Sequence, residues 1–378
     1  MPTKFAAQVE HAFSFAQKQV RSLVDRDPGF YPLYTEEGKW RHSKPAWTRW
    51  CDGFLPGMMW IFYEETGDAE WRALAEHYSK PLEPRQDDRE VHDLGFIFYH
   101  GTYKRWFEAT VRDGAPDKSL NDLVIHAGQT LALRFNDLAG CLRSFHGSDS
   151  NFIDIMMNVG IIFYAALQTN DAALLELAHR HCQTTRRTLV RGDGSTSHEG
   201  IFNLETGEFL KQTTQQGYRG DSCWSRGLAW SLYGFGTCFD LTRNPAYLEV
   251  AQLNADWWLS RIPSDGVAPW DFDAPLSGTL GRSQVDTSAS AIAAVGLLNL
   301  AEFSLSVARR KAYLDCALAT IDSLTSRYLG DGDDGWEGIL RGGVYHIHKD
   351  LGVNESVMWG EFFFVEALQK ARRVLSNH

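Results

Sequence analysis

The sequence predicts an all-α fold in which about six helical hairpins close into a ring. Six stretches of the 378 residues are apolar on nearly every side, as expected of helices buried between other helices. A short polar turn and an amphipathic segment follow most of these stretches. Such hairpins bury their apolar faces only by stacking on neighbouring hairpins, so we expect a closed ring of inner and outer helices.

The inner helices are predicted where polar residues give way to an apolar run. They begin at Asp52–Phe54, His92–Phe96, Asn151–Asp154, Trp224–Gly227, Asp286–Ser288 and Trp359–Glu361. The outer helices follow turns at Glu65–Asp68, Gln168–Asp171 and Leu241–Pro245, with weaker copies at Asp117–Ser119 and before Tyr313. Asp and Asn side chains in these turns favour helix N-caps. A helix from about Phe5 to Leu23 completes the outer set.

Four long insertions all precede inner helices, which places them at one end of the ring, here called the mouth. They are Pro32–Trp50, Val190–Trp224, Ile262–Val285 and Gly330–Asn354. Apolar and polar residues alternate on both sides of a turn at Glu205–Glu208, which predicts a small β-hairpin covering the mouth. Long structured loops at one end of a rigid scaffold usually carry binding, so we expect the functional site there.

The composition narrows the class of protein. A formal net charge of −11 argues against nucleic-acid binding, which needs a basic surface. The six cysteines form no CxxC pair, and His179 and His181 point to different helix faces, so we expect buried thiols, exposed histidines and no metal site. The segment MPTKFAAQVEHAF lacks a signal-peptide core, and no apolar run is long enough to cross a bilayer. We therefore expect a single cytoplasmic domain over residues 1–378.

Asp154 and Asp93 are the candidate catalytic residues. Asp154 lies in an otherwise apolar segment, where burial would raise its pKa and suit it to donate a proton near neutral pH. Asp93 begins a helix whose positive end would keep it ionised, and an ionised Asp93 facing Asp154 would help to hold the proton there. Either residue could instead be an ordinary N-cap, and Asp154 could be a satisfied core carboxylate.

Aromatic and polar side chains around the mouth are candidates for sugar binding. Sugar rings stack their C–H faces on aromatic side chains, while polar groups read the hydroxyls. The candidates are Trp50, Trp224, Trp230, Tyr345, Trp359, His92, His198, Gln216 and Arg226, with Trp47 and Phe145 nearby. The alternative is helix packing, which we prefer for Trp257 and Trp258 on an outer helix. Arg226 could bind a substrate carboxylate or form a structural salt bridge, and the sequence favours neither.

Several segments together resemble the unsaturated glucuronyl hydrolases of glycoside hydrolase family 88. They are His92–Phe96, the helix at Asp154, Leu189–Glu199, Gln215–Gly217, Trp224–Phe235, Asp286–Ala294 and Met358–Leu368, and the similarity extends over essentially the whole chain. The resemblance implies an (α/α)6 barrel with Asp154 as general acid and base and Asp93 as second essential carboxylate. It also implies a sugar-binding set of Trp50, His92, His198, Gln216, Trp224, Arg226 and Trp230.

Two positions depart from the family pattern. Glu361 stands where relatives often have Asp, and Phe145 stands where some have Trp. Both residues are expected at the rim of the pocket, where they would affect linkage preference and sulfate tolerance more than the core reaction.

The resemblance further implies an enzyme that removes the 4,5-unsaturated uronic acid from the non-reducing end of lyase-generated oligosaccharides of glycosaminoglycan type. Hydration of the C4=C5 double bond calls for no metal and no organic cofactor. The expected partner is the oligosaccharide substrate, bound by a monomer or weak homo-oligomer. The nearest alternative is an unsaturated rhamnogalacturonyl hydrolase acting on pectin fragments. A sugar epimerase and a catalytically silent carbohydrate-binding protein are further alternatives.

Overall fold

Helices make up most of the structure, a computed structural model that describes residues 2–45, 47–278, 280–281, 283–332 and 335–376. The helices alternate along the chain between an outer and an inner position. The outer helices are α1 (Pro2–Arg26), α3 (Ala69–Ser79), α5 (Lys118–Ala132), α8 (Ala172–Thr188), α10 (Pro245–Arg261) and α12 (Val307–Arg327). The inner ones are α2 (Phe54–Thr66), α4 (Tyr103–Arg112), α6 (Ile155–Asn158), α7 (Gly160–Thr169), α9 (Ser225–Thr242), α11 (Thr287–Phe303) and α13 (Met358–Ser376). A π-helix at Gly95–Gly101 precedes α4 and is also inner.

The inner helices form a closed ring. Helix α2 packs on the π-helix, which packs on α6 and α7; these pack on α9, α9 on α11, α11 on α13, and α13 returns to α2. Each outer helix packs on an inner helix next to it in the chain, except α1, which packs on α13 and so joins the two ends. The predicted (α/α)6 barrel is therefore confirmed.

Burial and capping explain why these segments are helical. The first twelve residues of α9, Ser225–Gly236, are all buried, as a helix with neighbours on every side requires. Gly234 is needed where α9 crosses α6, because a Cβ there would overlap the carbonyl oxygen of Met156. The outer helices begin at the predicted N-caps, where Asp68, Asp117, Asp171 and Asn244 each accept a backbone N–H with the side chain.

Short antiparallel strands lie in the insertions. The predicted hairpin is confirmed as β6 (Glu199–Phe202) and β7 (Phe209–Thr213), and it gains a third strand, β5 (Ser150–Phe152), which the sequence reading missed. The other strands form two-stranded pairs. They are β1 (Thr35–Glu36) with β2 (Lys39–Trp40), β3 (Phe135–Asn136) with β4 (Cys141–Leu142), and β8 (Gly343–His346) with β9 (Leu351–Glu355).

Two expectations about cysteines and histidines have different outcomes. All six thiols are free and only Cys316 is not fully buried, as predicted. His181 was expected at the surface, which is wrong: it is fully buried, and its Nδ1 accepts the backbone N–H of Leu142. Within the described ranges, no cluster of His, Cys, Asp or Glu side chains could hold a metal ion. In the same part of the chain, every helix is too short or too polar to span a membrane.

Candidate active site

A cavity opens at the mouth, where the inner helices begin. Its volume is about 730 Å³ including the open entrance. Eight predicted site residues line it: Trp50, His92, Asp93, Asp154, Gln216, Arg226, Trp230 and Tyr345. The structure does not bring the other three, His198, Trp224 and Trp359, to the cavity surface. These three lie behind the wall in this structure, and their role as direct sugar contacts stays a prediction.

The three residues behind the wall support those that line it. Trp224 packs against the His198 ring at 4.6 Å between ring centroids, and the Arg226 guanidinium lies 4.4 Å from a Trp224 ring. Trp359 is fully buried, donates its indole N–H to the Ser288 hydroxyl and packs on Trp50 at 4.9 Å. They therefore fix the positions of lining side chains.

Asp154 ends the segment between β5 and α6, and its side chain does not cap the helix. Its Oδ2 lies 3.5 Å from Nε2 of His198, and both atoms are buried with no hydrogen-bond partner among the described residues. Burial alone would raise the pKa of Asp154. The nearby His198, His92 and Arg226 outweigh that effect, so the pKa is lowered.

Asp93 lies two residues before the π-helix, and again its side chain does not cap the helix. Its Oδ1 is 3.3 Å from Nε2 of His92. Burial, followed by the negative charge of Asp154, raises its pKa to about 8. This reverses our expectation of a protonated Asp154 and an ionised Asp93. The reason is that basic side chains gather around Asp154, whereas Asp93 is buried without help from the helix N-terminus.

Backbone hydrogen bonds set the tautomers of both histidines. Nδ1 of His198 accepts the backbone N–H groups of Gln215 and Gln216 at 3.1 and 3.3 Å. Nδ1 of His92 accepts the backbone N–H of Phe145 at 3.0 Å, and burial lowers the pKa of His92 to about 3. A ring nitrogen that accepts a hydrogen bond carries no proton, so each neutral ring bears its hydrogen on Nε2. His92 and His198 therefore each direct an N–H group towards one carboxylate.

Arg226 is committed to protein partners. It forms a buried salt bridge with Asp286 at 2.6 Å and donates to the Val344 and Tyr345 carbonyl oxygens. Its other terminal nitrogen donates to Oε1 of Gln216 at 2.6 Å. The salt-bridge alternative is therefore the one observed, and Arg226 holds Gln216 and strand β8 in place. Asp286 was recognised only as a helix start, although a buried Asp facing a conspicuous Arg could have indicated this pair.

Aromatic side chains form part of the cavity wall. Trp50 packs on Phe96 at 5.4 Å, and Phe96 packs on Trp230 at 5.0 Å. Phe145 also lines the cavity, as expected of a rim residue. Glu361 does not, which corrects its predicted place: it is buried and accepts the backbone N–H groups of Ile339 and Leu340. The cavity is also lined by Trp47, Phe152, His346 and Lys349, which were not among the predicted site residues.

No protein-family model matches the chain. The unsaturated glucuronyl hydrolase of Bacillus sp. (strain GL1) is 31% identical over 377 residues, covering 97% of this chain and 96% of that protein. The unsaturated chondroitin disaccharide hydrolase of Streptococcus pyogenes serotype M1 is 26% identical, covering 95% of this chain and 90% of that protein. The crystal structure of the Bacillus sp. GL1 enzyme is similar with a TM-score of 0.87 and 29% identity, covering 97% of this chain and 98% of that one. By this full-length similarity, the chain belongs to the unsaturated glucuronyl hydrolases, which are glycoside hydrolases.

Proposed function

We propose that this enzyme hydrates the C4=C5 double bond of a 4,5-unsaturated uronic acid at the non-reducing end of glycosaminoglycan-type oligosaccharides. The observation that carries the proposal is one cavity with an aromatic wall and two carboxylates whose pKa values are shifted in opposite directions. Pairs of acids separated in this way are typical of acid–base catalysis. The aromatic wall suits the flat unsaturated ring.

The substrates of relatives support the same class. The Bacillus sp. GL1 structure is of an enzyme responsible for the degradation of glycosaminoglycan. A Streptococcus agalactiae relative, 26% identical with a TM-score of 0.81, was crystallised with dGlcA-GalNAc6S. The structural similarity covers 95% of that chain and 98% of this one. We infer a disaccharide or longer oligosaccharide of this chemistry as the substrate.

In the proposed reaction, Asp154 gives a proton to C4 of the vinyl ether. Positive charge then develops on C5 and the ring oxygen, where the Asp154 carboxylate left by this proton transfer is stabilising. Water adds to C5 and returns a proton to Asp154, which restores the acid. The C5 hemiketal opens, and the resulting C1 hemiacetal expels the remaining sugar. This sequence differs from ordinary glycosidases, where two carboxylates act at the anomeric carbon.

The proton needed by Asp154 comes to the site when substrate binds. In the free enzyme the lowered pKa of Asp154 leaves it ionised at neutral pH, while Asp93 holds a proton. The carboxylate of the bound uronate adds a negative charge to the cavity, which raises the proton affinity of Asp154. His198 keeps its N–H directed at Asp154 throughout, because Nδ1 stays bound to the backbone.

Solvent labelling tests the proposal. We expect loss of the ultraviolet absorbance of lyase-generated chondroitin disaccharides, and in heavy-oxygen water we expect the label at C5. Asp154→Asn should lose both signals by about 10²-fold or more in kcat, the scale of lost acid–base catalysis. A label at the anomeric carbon would contradict the hydration route. Turnover of rhamnogalacturonan disaccharides alone would favour the pectin-fragment alternative.

We also propose that residues 1–378 act as one catalytic domain in the cytoplasm, as a monomer or weak homo-oligomer. The six free thiols support a reducing compartment. Mass measurement by light scattering at several concentrations tests the oligomeric state, and a stable dimer at micromolar concentration would contradict it.

A further inference from the structure

A second groove lies beside the catalytic cavity. We call it the side groove; its lining includes Phe30, Tyr34, Arg41, His42, Lys44 and Trp47. Its volume is about 1180 Å³ including the open entrance. Trp47 and Thr48 line both the side groove and the catalytic cavity, so the two lie next to each other. A molecule that leaves the cavity past Trp47 would enter the side groove.

The side groove carries a local excess of positive charge on a protein with a formal charge of −11. Arg41, Lys44 and Arg49 line it, and Asp52 is its acidic lining residue. Asp52 lies 3.8 Å from Arg49 and 3.6 Å from Arg85, which offset its charge. Arg41 pairs with Glu36 at 2.9 Å. Exposed Lys44 has no ion-pair partner within the described ranges, so its charge is available to a ligand.

Histidine and aromatic groups complete the side groove. His42 lies 3.8 Å from Asp27 and stacks on Phe30, with ring centroids 4.2 Å apart and 21° between the planes. Beyond Trp47, the Nζ of Lys349 lies 4.5 Å from the indole ring. A flat aromatic pair beside cationic groups suits an acidic sugar, whose ring stacks while its anionic group meets the charge.

Tyr34 supplies an independent observation. The residue is only 1% exposed, and its hydroxyl has no hydrogen-bond partner among the described residues. Tyr34 lines the side groove, and Arg41 lies over its ring at 5.3 Å. Tyr34 and Arg41 together therefore add an aromatic surface and a positive charge to the wall of the groove.

We propose that the side groove binds an acidic sugar of the substrate that lies beyond the residue attached to the unsaturated uronate. The inference rests on the proposed function and deepens it. The enzyme then prefers tetrasaccharides with an anionic third or fourth sugar over disaccharides. Lys44 contacts the sulfate or carboxylate, and the Phe30–His42 pair supports the ring.

The test compares kcat/KM for unsaturated disaccharides and tetrasaccharides of chondroitin 6-sulfate. For Lys44→Ala we expect kcat/KM to fall about 5- to 10-fold on the tetrasaccharide, the effect of one charged contact. Disaccharide turnover should stay within about twofold, because Lys44 does not line the cavity. Lys44→Arg should restore most of the loss. Lys18→Ala, an exposed lysine on α1, is the matched control and should change neither substrate.

Two further measurements separate the effect of a sulfate from that of a carboxylate, and binding from catalysis. Unsaturated hyaluronan tetrasaccharide, which lacks sulfate, shows whether a carboxylate alone is sufficient. A saturated chondroitin sulfate tetrasaccharide cannot be hydrated, so its calorimetric binding measures the groove without catalysis, and Lys44→Ala should weaken it. The proposed role of the side groove would be overturned if Lys44→Ala lowered kcat/KM equally on disaccharide and tetrasaccharide, or if it left binding of the saturated tetrasaccharide unchanged. Inactivity of the wild type on every unsaturated disaccharide would instead overturn the proposed function.

Discussion

At the scale of single residues, the chemistry depends on how two carboxylates differ. The Asp154 carboxylate lies 3.5 Å from Nε2 of His198 and close to His92 and Arg226, so its charged form is favoured. Asp93 is buried, and its pKa of about 8 keeps a proton on it at neutral pH. Such a buried acid costs folding free energy whenever it ionises, which is the usual trade between stability and function.

Asp93→Asn should therefore stabilise the fold while it impairs catalysis. The pKa of Asp93 rises from 3.8 to about 8 on folding, so between these values the folded state holds the extra proton and stability falls as pH rises. The neutral amide removes this loss. We expect Tm to rise by about 2–5 °C at pH 8, and less at pH 5, with kcat lowered about 10²-fold or more. Calorimetry at both pH values measures the shift. A larger gain at pH 5 would contradict the assignment.

Substrate binding should be accompanied by proton uptake. Asp154 is ionised in the free enzyme, and an anionic ligand raises its proton affinity. We expect about one proton taken up at pH 7 when a saturated uronate disaccharide binds. Calorimetric titration in buffers of different ionisation enthalpy measures this number, and Asp154→Asn should abolish it. Zero uptake by the wild type would mean that Asp154 stays ionised and that Asp93 is the proton donor.

At the scale of elements, Asn158 joins the two helix starts that carry the carboxylates. Its Oδ1 accepts the backbone N–H of Phe96 at 2.9 Å, and its Nδ2 donates to the Asp154 carbonyl oxygen at 3.4 Å. Gly95 permits this contact, since a Cβ there would lie 2.6 Å from the Cα of Asn158. The relative position of Asp93 and Asp154 thus depends on one buried amide.

Asn158→Ala should lower kcat more than an equally buried control. We expect kcat to fall about 10-fold or more, because small displacements of catalytic groups are costly, and stability to fall by about 1–3 kcal/mol. Asn254→Ala is the control: Asn254 is also fully buried and bonds Gly194 and Ser231, but it does not line the cavity. It should lose similar stability and retain activity. Equal kcat losses in the two variants would show only general destabilisation.

The sequence predicted where helices begin, but it did not predict where a helix is broken or changes to a π-helix. Helices α2, α9 and α11 begin within the predicted segments, and α6 begins one residue after its segment, because N-caps and apolar runs are local signals. The π-helix and the break between α6 and α7 depend on packing against neighbours. Strand β5 pairs with a segment about 50 residues later in the chain, a contact without a local signal.

The sequence predicted which residues line the candidate site better than it predicted what each of them does there. Eight of the predicted side chains line the cavity because they stand at the starts of inner helices or in mouth insertions. The roles of Arg226 and His198 depend on partners more than ten residues away, such as Asp286 and Gln215. The pKa order of Asp93 and Asp154 depends on distances that spacing along the chain does not give.

At the scale of the whole molecule, buried titratable groups should limit stability on both sides of neutrality. Burial lowers the pKa of several histidines, among them His92 and His181 to about 3 and His100 and His346 to about 4. Below their ordinary value of 6.5 the unfolded chain binds more protons, so stability falls as pH falls. Burial raises the pKa of Asp93 and Glu361 to about 8, and these acids make stability fall as pH rises towards 8.

The opposing slopes place the maximum of Tm near pH 6–7. Above the histidine range the two acids contribute, each at about 1.4 kcal/mol per pH unit as an upper limit. Near pH 9 the buried thiols, whose pKa values burial raises from 9.0, add to the same downward slope. Calorimetric scans from pH 4.5 to 9 measure the curve. Glu361→Gln should flatten the alkaline side and steepen the acidic side between pH 4.5 and the maximum, because the pKa of Glu361 rises from 4.5 to about 8 on folding and its opposing slope acts over that whole interval. A Tm that rises steadily from pH 6 to pH 9 would contradict the protonated state of both acids.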